Sequence, residues 1–158
     1  MALLAENIKF YQCLNWNVED ETHGGDIDLS AEIPASGVNN VFDNVSDEER
    51  ENGDVEWRKI SIRNENDQAW ENVKCWIEQN TPAPNDEIYI SASGTNDDTW
   101  ATASGYNFVQ PSGIDDPNVQ DIGTLEPSGY HHLWIKRVVT AGGGGYANNN
   151  FVIRFAST

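Results

Sequence analysis

The sequence predicts an all-β fold, an antiparallel β-sandwich of jelly-roll or immunoglobulin-like topology with about eight to ten strands and long loops. Three observations carry this expectation. Short apolar runs alternate with a period of two along most of the chain. Gly, Asn, Asp and Pro fall between those runs. No stretch keeps the apolar periodicity of a long helix. The 158 residues suit one domain, read as 1–158, with residues 1–7 as an extended N-terminal arm.

Each element follows from local pattern. Ile8 to Leu14 reads as a first strand. In Asp26 to Ile33, Ile27, Leu29, Ala31 and Ile33 take one face and Asp28, Ser30 and Glu32 the other. Val38 to Val45 is ambiguous. Asp47 to Asp54 after it reads as a charged loop or a single helical turn; for the turn, Ser46 is the cap, with Glu49 completing a capping box and Gly53 ending it. Val55 to Arg63 is a strong strand whose apolar phase changes, Val55 and Trp57 on one face and Ile60 and Ile62 on the other. A β-bulge near Arg58-Lys59 is expected to reconcile them. After the Asn64–Asp67 turn, Trp70 to Ile77 reads as the returning arm of an antiparallel hairpin, with Val73, Cys75 and Ile77 inward. Glu87 to Ala92 is the next strand. Gly94 to Asp121 is expected to hold two short strands and long loops. Tyr130 to Thr140 is a long strand with Leu133, Ile135 and Val139 inward. Gly142 to Gly145 reads as a hairpin connection to a final strand, Asn150 to Phe155.

The formal net charge is −17. Such a surface repels polyphosphates and anionic lipid, so nucleic-acid and membrane partners are not expected. It keeps a protein soluble, and it also suits docking on a basic partner. Met1 to Ala5 lacks the basic and long apolar regions of a signal peptide, so synthesis in the cytoplasm is expected. Cys13 and Cys75 both sit in apolar alternating segments and are expected as reduced, buried thiols.

Reactive constellations are sparse. His131 and His132 are adjacent on a strand and point to opposite faces, which prevents joint chelation. His23 lies in an acidic loop. Among metals calcium matches the ligand chemistry best, through Asp26-Ile27-Asp28, Asn96-Asp97-Asp98 or Asp115-Asp116, yet turn formation accounts for the same residues. No Gly-x-Ser-x-Gly elbow occurs, and Gly142–Gly145 lacks the Lys-Ser/Thr ending of a phosphate loop. No catalytic, cofactor-binding or metal residue is therefore assigned, and no small-molecule substrate is expected. Trp57, Trp70, Trp76 and Trp134 lie in predicted strands as packing residues. Trp16 and Trp100 lie near loops, where aromatics serve packing, an interface or sugar stacking.

Several blocks carry a family resemblance. Asn40-Val41-Phe42-Asp43-Asn44-Val45-Ser46 and Gly53-Asp54-Val55-Glu56-Trp57-Arg58-Lys59-Ile60-Ser61-Ile62-Arg63-Asn64 resemble a recurring pattern of tailed-bacteriophage virion structural proteins: an FD-x-VS turn, then GD-x-E(Y/W)R, then an apolar strand ending in Asn. Asn72 to Pro82 and Leu133 to Gly142 are similar to further segments of those proteins, and together the blocks cover about half the chain. The resemblance implies a non-enzymatic virion component. Size and charge favour a capsid decoration (cement) protein on the outside of the major capsid protein shell, in contact with copies of itself as a homotrimer. The alternative is a tail or fibre module contacting host glycans through Trp16 or Trp100.

Overall fold

A computed structural model describes residues 2–34, 39–145 and 149–158. The eight strands are β1 (Ile8–Asn15), β2 (Gly24–Ile33), β3 (Asp54–Asn64), β4 (Trp70–Gln79), β5 (Asp86–Ser91), β6 (Gln120–Leu125), β7 (Tyr130–Val139) and β8 (Val152–Ser157). They form two antiparallel sheets, β2-β1-β3-β7-β5 and β6-β4-β8. The sheets pack face to face as a β-sandwich. Between them lie Ile33, Phe42, Ile60, Ile62, Ile88, Ile90, Leu133 and Ile135 from one side and Val73, Cys75, Ile77, Ile122 and Leu125 from the other. Among the described residues no helix is long and apolar enough to cross a membrane.

The predicted capping box is present. Ser46 Oγ accepts the Glu49 N–H at 3.2 Å, and Glu49 Oε1 accepts the Ser46 N–H at 3.1 Å. They open α1 (Asp47–Asn52), which ends at Gly53 with φ of 80°. Residues 39–45 ahead of it form no strand, and Val38 lies outside the described residues.

The predicted hairpin of Val55–Arg63 with Trp70–Ile77 does not form. β3 pairs with β1 and β7, whereas β4 pairs with β6 and β8 in the opposite sheet. From β3 onward every connection passes between the sheets, including the Gly142–Gly145 link, which joins β7 to β8 across the sandwich rather than as a hairpin. Asn64 holds the first of these crossings. Its fully buried amide donates to Gln68 O at 2.7 Å and Leu125 O at 2.8 Å, and its Oδ1 accepts the Asn66 N–H at 3.0 Å. Asn66 in turn accepts from Leu4 N at 2.9 Å, which ties the N-terminal segment to this corner; residues 5–7 there form a single 3-10 turn.

The expected bulge at Arg58-Lys59 is also absent. The β3–β7 register runs unbroken from Asp54↔Val139 to Arg63↔Tyr130. The phase change has another cause: both faces of β3 are covered. Ile60 and Ile62 face the sandwich core, while Lys59 and Ser61, equally buried, face a second layer. Irregular pairing lies instead in β2, where two residues of β1 span Ile27 to Glu32. That slack leaves Leu29 55% exposed while Ile27 and Ile33, expected on the same face, are buried.

The second layer is the 94–109 segment. The two strands expected in Gly94–Asp121 are replaced by α2 (Trp100–Ala103) and isolated bridges, Gly24↔Thr99 and Ile90↔Val109; β6 begins only at Gln120. The segment lies across the outer face of the larger sheet. Gly25 N donates to Asp98 O at 2.9 Å and Trp100 N to His23 O at 2.8 Å. Gly24 permits this approach, because a Cβ there would stand 2.3 Å from Asp98 O.

Replacing Asn64 by Ala leaves Gln68 O, Leu125 O and Asn66 N without partners in a dry corner. The expected outcome is a loss of about 3 kcal/mol of unfolding free energy. Urea denaturation of the two proteins measures it, and a loss below about 0.5 kcal/mol, the scale of an ordinary surface change, contradicts the role assigned to Asn64.

Candidate functional site

Three places concentrate titratable side chains. The first lies between the larger sheet and the 94–109 segment. Alternation on β3 and β7 sends Lys59, Ser61, His132 and Trp134 to this side, opposite the sandwich core. His23 enters from the turn before β2 and Asp98 from the covering segment. Lys59 is fully buried, and its ammonium donates to Gly25 O at 2.7 Å, to Thr95 O and to Asp98 Oδ1 at 2.5 Å. Asp98 Oδ2 accepts from Trp134 Nε1 at 2.9 Å, Tyr106 OH at 2.7 Å and Thr95 N at 3.1 Å. Burial pushes the Asp98 carboxyl up, but hydrogen bonds from Lys59, Tyr106, Thr95 and Trp134 outweigh it and hold the carboxyl below its ordinary value.

Both histidines of this layer are neutral. Burial, aided by the charges of Arg58 and Lys59, lowers His23 to about 3. Its Nε2 accepts the Lys59 N–H at 2.9 Å, which puts the proton on Nδ1. Burial and Lys59 lower His132 to about 4, against an opposing pull from Asp26. Its Nε2–H donates to Asn96 Oδ1 at 2.8 Å and its Nδ1 accepts from Ser61 Oγ at 2.7 Å. His131 points the other way and donates to Ala92 O at 2.9 Å.

Cys13 Sγ lies 3.6 Å from His23 Nε2, the spacing of a thiol–imidazole pair. It cannot act as one. The thiol is 1% exposed, burial pushes it up to about 12, and the imidazole nitrogen facing it is committed to the Lys59 N–H. Cys75 is fully buried in the sandwich core, and both cysteines are free thiols, as expected from their apolar surroundings.

The second place unites blocks far apart in sequence. Arg137 on β7 stands opposite Glu56 on β3 and contacts Glu56 Oε2 at 2.5 Å, Asp43 O at 2.6 Å and Glu49 Oε2 at 3.5 Å. The guanidinium carbons of Arg137 and Arg58 lie 4.8 Å and 5.0 Å from the Phe42 ring centroid. Burial raises the Glu56 carboxyl, opposed by Arg137 and Arg58. Phe42-Asp43, Ser46, Gly53 and Glu56-x-Arg58 therefore build one structural corner. The ligand atoms of Glu49, Asp54 and Glu56 fall within 4.8 Å of one another, close enough for a cation, and Arg137 already pairs with two of them, Glu49 at 3.5 Å and Glu56 at 2.5 Å. Beside this corner a cleft of about 510 Å³ opens between the sheets, with Ile33, Phe42 and Phe151 on its walls. Its two guanidinium groups are spent, Arg50 on Asp86 at 2.7 Å and Arg137 on Glu56.

The third set comprises the calcium-type pairs, whose oxygens serve local structure. Asp26 accepts from Tyr130 OH at 2.9 Å, Asp28 from Ser30 at 2.6 Å, and Asp116 from the backbone of Ser112 and Asn118. Of the loop tryptophans, Trp16 packs on His23 with centroids 4.8 Å apart and Trp100 on Trp57 at 5.3 Å. Both are half-buried.

The feature that sequence reading missed is the sorting of charge. Arg50, Arg58, Lys59 and Arg137 are buried, as are Glu56, Asp86 and Asp98. Four of nine cations and three of 26 acids are thus withdrawn, which leaves five cations against 23 acids at or near the surface. The apolar residues around Arg58-Lys59 were the available signal, since a cation inside a strand buried on both faces must itself be buried.

The neutral histidines set an acid limit. Their folded pKa values lie below the unfolded 6.5, so between about pH 4 and 6.5 only the unfolded chain takes up protons. Stability is therefore full above about pH 6.5 and falls as the pH drops, by about 2 kcal/mol per histidine from pH 7 to pH 5. Urea unfolding at the two pH values tests this; equal stabilities contradict it, and His132→Gln is expected to flatten the dependence.

Compared with known proteins, the chain matches no family model, no curated protein and no solved structure.

Proposed function

We propose that this chain is a non-enzymatic structural protein of a tailed-bacteriophage virion, a decoration protein that binds the outside of the major capsid protein shell and stabilises it. The observation that carries this reading is the charge distribution. Outside the buried groups five cations stand against 23 acids, so the outer surface is predominantly anionic. Such a surface is complementary to a basic patch and unsuited to nucleic acid or an anionic membrane.

Three further features support it. Cys13, His23, Lys59 and Asp98 are buried and committed to one another or to backbone, so they serve cohesion rather than turnover. The blocks that resemble virion proteins meet in the Phe42–Arg58–Arg137 corner, which is scaffold. The hairpin of β1 and β2 presents Leu14 and Leu29, 64% and 55% exposed, on either side of the acidic Glu19-Asp20-Glu21 turn. An apolar anchor beside charge is the composition of a protein interface. Repetition over a symmetric shell, with copies joined as trimers, multiplies weak contacts.

The test mixes purified protein with undecorated capsids and sediments them. Co-sedimentation at low salt is expected, with occupancy falling towards about 0.5 M salt as screening shortens the reach of the acidic surface. Leu29→Asp is expected to weaken binding at least about tenfold, the cost of losing one interface anchor, without changing the melting temperature by more than a degree or two. Absence of co-sedimentation at every salt concentration overturns the proposal, and light scattering of the free protein reads its oligomeric state.

A further inference from the structure

The buried amine and carboxyl of the outer layer are placed for more than attraction. Lys59 and Asp98 have side chains 0% and 2% exposed. Their partners are the indole of Trp134, the phenol of Tyr106 and backbone, with no second carboxylate in hydrogen-bond contact with either group among the described residues. The Trp134 ring stands 5.8 Å from the amine and excludes water on that side. Backbone contacts at Gly24, Gly25 and Trp100 fix the segment carrying Asp98 against the sheet, so neither group can withdraw.

The hydrogen bonds are divided in a particular way. An ammonium has three N–H groups. Two of them go to carbonyl oxygens, Gly25 O and Thr95 O, and the third to Asp98 Oδ1 at 2.5 Å. If that third proton crosses to Oδ1, the freed lone pair points at the Asp98 carboxyl while the other two hydrogens stay held. The hydrogen bonds that hold the Asp98 carboxyl below its ordinary value keep the charged pair as the resting state, and the crossing exchanges two buried charges for two neutral groups. The far oxygen, Oδ2, accepts three donors: Trp134 Nε1 at 2.9 Å, Tyr106 OH at 2.7 Å and Thr95 N at 3.1 Å. Preset donors around one carboxyl oxygen stabilise the charge that develops there when its carbon is attacked.

We propose that Lys59 and Asp98 are joined by an intramolecular isopeptide bond that the folded chain forms on itself. Nζ attacks Cγ of Asp98 and forms the N–C bond. Negative charge develops on Oδ2 and is held by Trp134, Tyr106 and Thr95. The intermediate collapses by breaking the Cγ–Oδ1 bond. Oδ1 carries away the proton it first received from Nζ and a second proton from the same nitrogen, and leaves as water. An ammonium and a carboxylate become one amide and one water, with no change of oxidation state and no co-reactant. Holding the two groups in contact replaces a bimolecular encounter, the effect that makes an unactivated condensation accessible. The product ties β3, the middle strand of the larger sheet, covalently to the segment that covers it. It also removes a buried ion pair whose desolvation is costly. This inference is independent of the virion reading.

Intact mass of the purified full chain under denaturing, reducing conditions tests it. After allowance for the initiator methionine, the expected mass is one water below that of the sequence. Protease digestion followed by fragmentation is expected to yield a branched peptide in which the Lys59 side chain carries the Asp98 peptide. Lys59→Arg and Asp98→Ala are each expected to restore the full sequence mass. Wild-type protein at its full sequence mass overturns the proposal, and so does a water deficit that fragmentation maps to any other pair of residues. Intact mass and fragmentation of the wild-type protein together decide between these outcomes, so a variant that fails to fold leaves the test intact.

Discussion

Lys59 sits at the centre of the five-stranded sheet with its amine turned away from the sandwich core, and the rest of the outer layer is arranged around that fact. A cation in this position has no access to water and must find its partners within the protein. Gly25 O, Thr95 O and Asp98 provide them, and they come from two different segments. Meeting the needs of one ammonium therefore brings the start of β2 and the 94–109 segment onto the same sheet. Trp134, Tyr106, His23 and His132 fill the space this creates. Gly24 is required where it is because any side chain there would collide with the backbone of Asp98.

The same economy of polar partners recurs at the other end of the sheet. Arg137, Arg58 and Glu56 lie on the core-facing side of β3 and β7, where Phe42 covers the guanidinium groups, Asp43 O accepts from Arg137 and Glu49 stands 3.5 Å from it. Lys59 and Arg50 are matched by acids or carbonyls, whereas Arg58 is matched only in part: Nη1 donates to Trp57 O at 3.1 Å, while Nε and Nη2 make no hydrogen bond. Four cations and three acids are withdrawn together, so the acidic exterior follows from the composition and burial leaves it nearly unchanged.

Much of the fold was legible from local pattern. The strands at Ile8, Asp26, Val55, Trp70, Glu87, Tyr130 and Asn150 all exist within a few residues of their expected bounds, and Ser46, Glu49 and Gly53 act as the capping pattern requires. These features depend on neighbours close in sequence, where alternation and capping act. The errors share another origin. A short polar turn between two strands favours a hairpin of β3 with β4, yet Asn64 spends its amide on Leu125 and Gln68 and sends the chain to the other sheet. The bulge at Arg58-Lys59 follows only for a strand with one wet face, and that face is covered by residues some forty positions away.

The period-two apolar runs, the turn residues between them and the acidic composition were sufficient to specify a β-sandwich, reduced cysteines in apolar settings and an acidic surface. They act through nearest neighbours or through bulk charge, so they survive without knowledge of pairing. Strand partners, the second layer over the larger sheet, the burial of four cations and the meeting of Lys59 with Asp98 depend on contacts between distant segments. In those contacts the burial of polar groups is decided by which partner can satisfy them, and single-residue tendencies hold no record of the partner.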